Sequence, residues 1–158
     1  MILVEKKRIQ DIPVLQIVKQ NRFSARLPLI VFLHGFTSTK ERNLHYAYLY
    51  AEKGFRVLLP EAKYHGTRSW DLSETELGLR FWEIVMTSIE ELSLLKAELE
   101  QQGLIDPLKI GVAGTSMGAI TTLGAMATYD WIKAGVSLTD FRKKSPILKE
   151  WEGLKPNE

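Results

Sequence analysis

The apolar positions of this chain fall into two rhythms. Short β-branched or continuous apolar runs recur at Ile2 to Ile9, Ile12 to Val18, Leu29 to Leu33, Phe55 to Leu59, Ile110 to Ala113 and Ala134 to Leu138. Runs of that length between turn residues predict strands, and the continuous ones predict strands buried on both faces of a parallel sheet. The first two are separated only by Gln10-Asp11, so they predict a hairpin, with Pro13 marking an edge position. Between the later runs the rhythm changes to threes and fours. Leu44, Ala47, Tyr48 and Ala51 predict a helix over about 41–53, capped by Gly54. Phe81, Ile84, Val85, Ile89, Leu92, Leu95 and Leu99 predict a long amphipathic helix entered through a Ser73/Glu76 capping box and closed by Gly103. Asp106-Pro107 predicts a turn, and Ala119 to Thr128 a further helix. Alternating strands and helices predict an α/β fold with a mostly parallel sheet led by an antiparallel hairpin.

After Leu138 the rhythm is lost. Thr139 onward is polar and basic around Arg142, broken at Pro146 and Gly153. The reading is therefore one α/β unit over 1–138 and an irregular tail over 139–158.

Composition narrows the chemistry. Of 158 residues 45% are hydrophobic and 25% charged, which suits a globular domain with its own core. The net charge is +2 with Lys and Arg spread along the chain, so nothing points to nucleic acid or a membrane surface. With no cysteine, disulfides, thiolate catalysis and Cys-ligated zinc are excluded. Met1-Ile-Leu-Val is followed at once by Glu5-Lys-Lys-Arg, which is not a signal-peptide pattern, and no apolar run is long enough to span a membrane. The expected location is cytoplasmic, and neither a cofactor nor a metal is expected.

The chemistry concentrates in Gly114-Thr-Ser116-Met-Gly118, a G-x-S-x-G pattern between a predicted strand and a predicted helix. That is the setting of a nucleophile elbow: the turn strains the serine backbone and lifts its hydroxyl clear of the sheet. Small residues at 114 and 118 leave room for the turn. The Met117 N–H, at the helix N-terminus, then points to where a carbonyl oxygen would gain charge. The competing reading is a Gly-rich turn or dinucleotide loop, but the glycines at 111, 114 and 118 do not give G-x-G-x-x-G.

Two further segments, with the elbow, resemble the α/β-hydrolases, specifically small bacterial serine esterases related to the prolyl-oligopeptidase-like hydrolases. Leu29-Ile-Val-Phe-Leu-His34-Gly35-Phe36 is similar to the strand and His-Gly-x loop that carries one oxyanion donor. Pro60-Glu-Ala-Lys-Tyr-His65-Gly66 resembles the Asp-x-Arg-Gly-His-Gly loop, departing from it at Glu61, Lys63 and Tyr64. The resemblance implies an ester hydrolase in which Ser116 attacks a carbonyl while the amides of Phe36 and Met117 hold the oxyanion. His34 and His65 are supporting candidates, read as loop-bracing residues against a catalytic alternative. His45 reads as a surface or packing residue. Tyr64, Trp70, Phe81 and Trp82 are either walls of an acyl pocket or ordinary core aromatics.

The family order is serine, acid, histidine, yet His34, His45 and His65 all precede Ser116. Asp130, Asp140, Glu150 and Glu152 follow it, with one more predicted strand. Three explanations stand open: a fragment of a longer esterase, a relocated base such as His34 or His65, or a non-catalytic binding or interaction module on the same fold. An incomplete sheet would also expose an apolar edge, which predicts homodimers or swapped oligomers. The expected partner is otherwise a small-molecule ester.

Overall fold

The computed structural model describes residues 1–139, so Asp140, Glu150, Glu152 and the tail beyond Thr139 lie outside it. Six strands form one sheet: β1 (Ile2–Ile9), β2 (Ile12–Lys19), β3 (Leu27–Leu33), β4 (Arg56–Pro60), β5 (Ile105–Thr115) and β6 (Ala134–Leu138). Their order is β1-β2-β4-β3-β5-β6. The first two pair antiparallel with each other, β2 runs antiparallel to β4, and β4, β3, β5 and β6 are mutually parallel. The hairpin turns at Gln10 and Asp11, both with positive φ (51° and 65°). Two consecutive left-handed residues give the type of turn that matches the twist of the strands.

Four helices connect the strands: α1 (Leu44–Glu52), α2 (Glu74–Leu79), α3 (Phe81–Gln101) and α4 (Met117–Thr128). The alternation along β3 assigns the layers. Leu29, Val31 and Leu33 join the core built with Ile84, Leu92 and Leu95 of α3 and with Met117 and Ala125 of α4. Phe32 faces the other way, into a smaller core with Ala47 and Ala51 of α1. A central sheet covered on both faces is what the continuous apolar runs require.

Several predicted boundaries move. Pro13 does not mark an edge strand, because β2 lies between β1 and β4. It is tolerated near the strand start, ahead of the Val14-to-Ile17 stretch that pairs with β4. Asp106-Pro107 is not a turn but part of β5, where a register shift between Leu27 and Leu29 accommodates it. The predicted first helix begins as a 3₁₀ turn over Lys40–Asn43. The predicted long helix is two: Arg80, at φ −97° and ψ 7°, separates α2 from α3. Ser73 does make the reciprocal capping box with Glu76 at the start of α2.

The direction in which successive strands are added to the sheet reverses beside β3. From β3 the chain crosses to β4 on one side, then returns through α3 to β5 on the other. The carboxyl ends of β3 and β5 therefore flank a topological switch point, where open α/β sheets place their ligands.

Candidate active site

β5 ends at Thr115, α4 begins at Met117, and Ser116 alone makes the turn. Its backbone is at φ 53° and ψ −114°, a conformation costly for a residue with a Cβ. The Ser116 N–H donates to Leu138 O at 3.0 Å, which ties the turn to the end of β6. The side chain stands exposed at the sheet's carboxyl edge. Two close backbone approaches hold this shape. A Cβ on Gly114 would stand 2.3 Å from the Gly118 carbonyl, and one on Gly118 would stand 2.2 Å from Leu33 O. No side chain fits at either position, so α4 begins directly against the end of β3.

The loop after β3 comes to the same edge, since Leu33 pairs with Gly114 in parallel register. A Cβ added to Gly35 would stand 3.3 Å from the Ser116 Cβ, so the 34–40 loop touches the turn. Among the described residues neither the Phe36 N–H nor the Met117 N–H donates to a protein acceptor. Met117 owes this to its place in the first turn of a helix, where amides have no partner four residues back.

His34 and His65 are both fully engaged elsewhere. The His34 Nε2 accepts the Ala62 N–H at 3.0 Å and its Nδ1 donates to Gly35 O at 2.8 Å. The His65 Nε2 accepts the Thr37 N–H at 3.0 Å and its Nδ1 donates to Lys63 O at 2.8 Å. The backbone partners fix the tautomer of each ring as neutral, with the proton on Nδ1. Burial pushes the His34 pKa below its ordinary 6.5, in keeping with a neutral ring. Each ring sews the loop after β3 to the loop after β4, and neither has a lone pair left for the Ser116 proton. His45 is exposed on α1, its ring 4.0 Å from that of Tyr46.

Phe36 is the hub of the aromatic residues. Its ring meets His65 at 5.7 Å and Phe81 at 5.6 Å, and Phe81 meets Trp82 at 5.3 Å. Trp82 and Trp70 are 66% and 74% exposed, so neither is a core aromatic. Tyr64 takes φ 63° in the position where the resembled loop has glycine. Its hydroxyl donates to Glu83 at 2.9 Å, and Lys63 and Arg80 each reach Glu83 and flank the Tyr64 ring. Hydrogen bonds from Lys63 and Tyr64 hold the Glu83 carboxyl at a pKa of about 2. Sequence reasoning missed this cluster, and also the buried Lys40–Glu61 pair, because the partners lie some twenty residues apart with no repeating spacing.

Asp130 cannot assist Ser116. It is exposed in the turn between α4 and β6, at the opposite edge of the sheet. Among the described residues no cluster of three or more His, Asp or Glu is placed to hold a metal ion. No helix among them is long and apolar enough to cross a membrane. A cavity of about 10 Å³ behind His34, Glu61, Ser88 and Met117 has room for a water at most, not a substrate.

Known proteins resemble this chain over most of its length. The chain is 56% identical over 138 residues to "Putative esterase YitV" of Bacillus subtilis, covering 87% of this chain and 54% of that protein. It is 33% identical over 138 residues to "Esterase YjfP" of Escherichia coli, covering 87% of this chain and 55% of that protein. The chain has the α/β-hydrolase fold. The crystal structure of "Putative Dienelactone Hydrolase" from Klebsiella pneumoniae superimposes with a TM-score of 0.74 at 14% identity, over 92% of this chain and 63% of that one. At that identity the likeness concerns the α/β-hydrolase fold alone. No protein-family profile matches the chain. The chain spans about half the length of the curated relatives it matches.

Proposed function

We propose that this α/β-hydrolase chain carries the nucleophile and oxyanion half of a carboxylic-ester hydrolase. The observation that carries the reading is the strained Ser116 at the switch point, next to the Met117 N–H and the loop that carries the Phe36 N–H, neither of which has a protein acceptor among the described residues. In this mechanism the Ser116 Oγ attacks the ester carbonyl carbon and the carbonyl electron pair moves onto oxygen. The two amides receive that charge, the alcohol leaves, and water hydrolyses the acyl-serine. The relatives named as esterases support the ester as substrate class.

The attack also needs an acceptor for the hydroxyl proton. His34 and His65 are engaged with backbone groups, His45 is on α1, and no histidine follows Ser116. In this reading a histidine base therefore comes from outside the present sequence, and the greater length of the relatives leaves room for one. The engaged histidines also favour a second reading, a binding or interaction module that keeps the fold without the chemistry.

A fluorophosphonate probe separates the two. On the esterase reading, the 158-residue chain gains mass on the Ser116 peptide, slowly, and Ser116→Ala abolishes the gain. Turnover of a short-chain p-nitrophenyl ester is expected to be very weak, because losing a triad base in a serine hydrolase costs about 10⁶ in kcat. A folded sample that takes up no probe at Ser116 leaves the binding reading in its place.

A further inference from the structure

Besides the two histidines, one buried ion pair joins the loops that meet beside Ser116. Glu61, directly after β4, accepts the Lys40 backbone N–H on Oε1 at 3.0 Å, and its Oε2 takes the Lys40 ammonium. Both side chains are buried, and the Lys40 Nζ also reaches Glu41 at 2.9 Å. The carboxylate lies against the backbone of Gly66, where a Cβ would come within 2.3 Å of Oε2. The Glu61 carbonyl receives Arg68 Nη1 at 2.9 Å, and Arg68 forks onto Glu91 of α3 at 3.0 and 2.7 Å. Glu61 is thus held from behind by the helix layer while its carboxylate reaches forward to the 34–40 loop.

Stability is a weak reason for such a pair, since removing two charges from water offsets much of their attraction. Its geometry suggests another role. His34 holds the start of the 34–40 loop, His65 holds the amide of Thr37, and Glu61 holds the end at Lys40. Thr37 has φ 61°, a left-handed conformation that persists only when its surroundings enforce it. Phe36 lies between the held points, and its N–H direction depends on them.

We propose that Glu61 and Lys40 are positioning residues, whose buried ion pair fixes the far end of the 34–40 loop so that the Phe36 N–H faces Ser116. The functional part rests on reading that amide as an oxyanion donor. The positioning part is a statement about the loop alone.

The test uses the 158-residue chain with Glu61→Gln, Lys40→Met and the double variant Lys40→Met/Glu61→Leu. Amide hydrogen exchange is read on the 34–40 peptide and on a β5 peptide, together with the thermal midpoint and the fluorophosphonate rate at Ser116. Each single variant is expected to speed exchange in 34–40 by about tenfold or more with β5 little changed. The double variant removes both charges, so its midpoint should return toward that of the unaltered chain while the loop still exchanges fast. The maximal phosphonylation rate should fall several-fold in all three, with the half-saturating probe concentration nearly unchanged. Equal acceleration in 34–40 and β5 overturns the proposal, as does loop protection that returns with the midpoint in the double variant. If the loop loosens as expected but the unaltered chain never reacts, the esterase reading fails and the positioning role stands.

Discussion

At residue scale the informative quantity is backbone strain. Ser116 sits at φ 53° and ψ −114°, where a Cβ is unfavourable by about 1–3 kcal/mol. Glycine relieves that strain and gives back roughly 0.5–1 kcal/mol through its freer unfolded chain. Ser116→Gly is therefore expected to stabilise the fold by about 1 kcal/mol, raising the thermal midpoint by ~2–4 °C, while abolishing probe uptake. A midpoint that falls would show that the strain is not stored there. Tyr64 makes a useful contrast. It is also left-handed, at φ 63°, but its hydroxyl and ring engage Glu83, Lys63, Arg80 and Trp70. The sequence marks this position only as a departure from glycine, and only the fold supplies the contacts that compensate it.

At the scale of elements the site depends on how closely α4 starts against β3. The approach is backbone to backbone, since a Gly118 Cβ would stand 2.2 Å from Leu33 O and 2.9 Å from His34 O. Gly118→Ala would normally favour a helix by about 1 kcal/mol. Here it must push the first turn of α4 away from β3, and overpacking of this kind costs roughly 1–3 kcal/mol. The expected outcome is a net loss of stability, with faster amide exchange at 116–119 and slower phosphonylation of Ser116. A variant as stable and reactive as the unaltered chain would show that the contact can relax freely. By comparison, Gly78 of α2 has open space around its Cα, so Gly78→Ala is the matched control for helix propensity.

At the scale of the whole molecule, His34 couples loop geometry to pH. It is buried and neutral, with its native pKa below the ordinary 6.5. Above 6.5 neither native nor unfolded chain binds that proton, and the contribution of His34 is fully present. As pH falls below 6.5, the unfolded chain takes up the proton first, and stability is lost down to the lowered native pKa. The slope is at most about 1.4 kcal/mol per pH unit. The depressed carboxyls Glu41, Glu76 and Glu83 act only below 4.5, so they do not enter this window. Urea midpoints should therefore decline from pH 6.5 to about 5 in the unaltered chain and flatten in His34→Gln. An equal decline in both would move the effect away from His34. The far edge of the molecule is also distinctive. All five residues of β6 are exposed, including Val136 and Leu138, and the outer side of α4 shows Ile120, Leu123 and Met126.

The sequence by itself determined most of the elements and the turn at Ser116. Period-two and period-three-to-four apolar patterns locate strands and helices because each element must bury one face. G-x-S-x-G reads as a turn because only very small neighbours permit its backbone approach. The same text gave the placement of every histidine before Ser116. Tertiary structure alone decided the rest. It brought residues 35 and 116 into contact, because β3 and β5 are neighbours in the sheet though far apart in the chain. It committed His34 and His65 to backbone partners and paired Lys40 with Glu61. A hydrogen bond or a buried charge is satisfied by whatever group the fold delivers to within 3 Å or so. Spacing along the chain carries no record of that delivery, which is why the turn at Ser116 was legible in the sequence, His34 and His65 were legible as loop-bracing residues only through resemblance, and the Lys40–Glu61 pair was not legible at all.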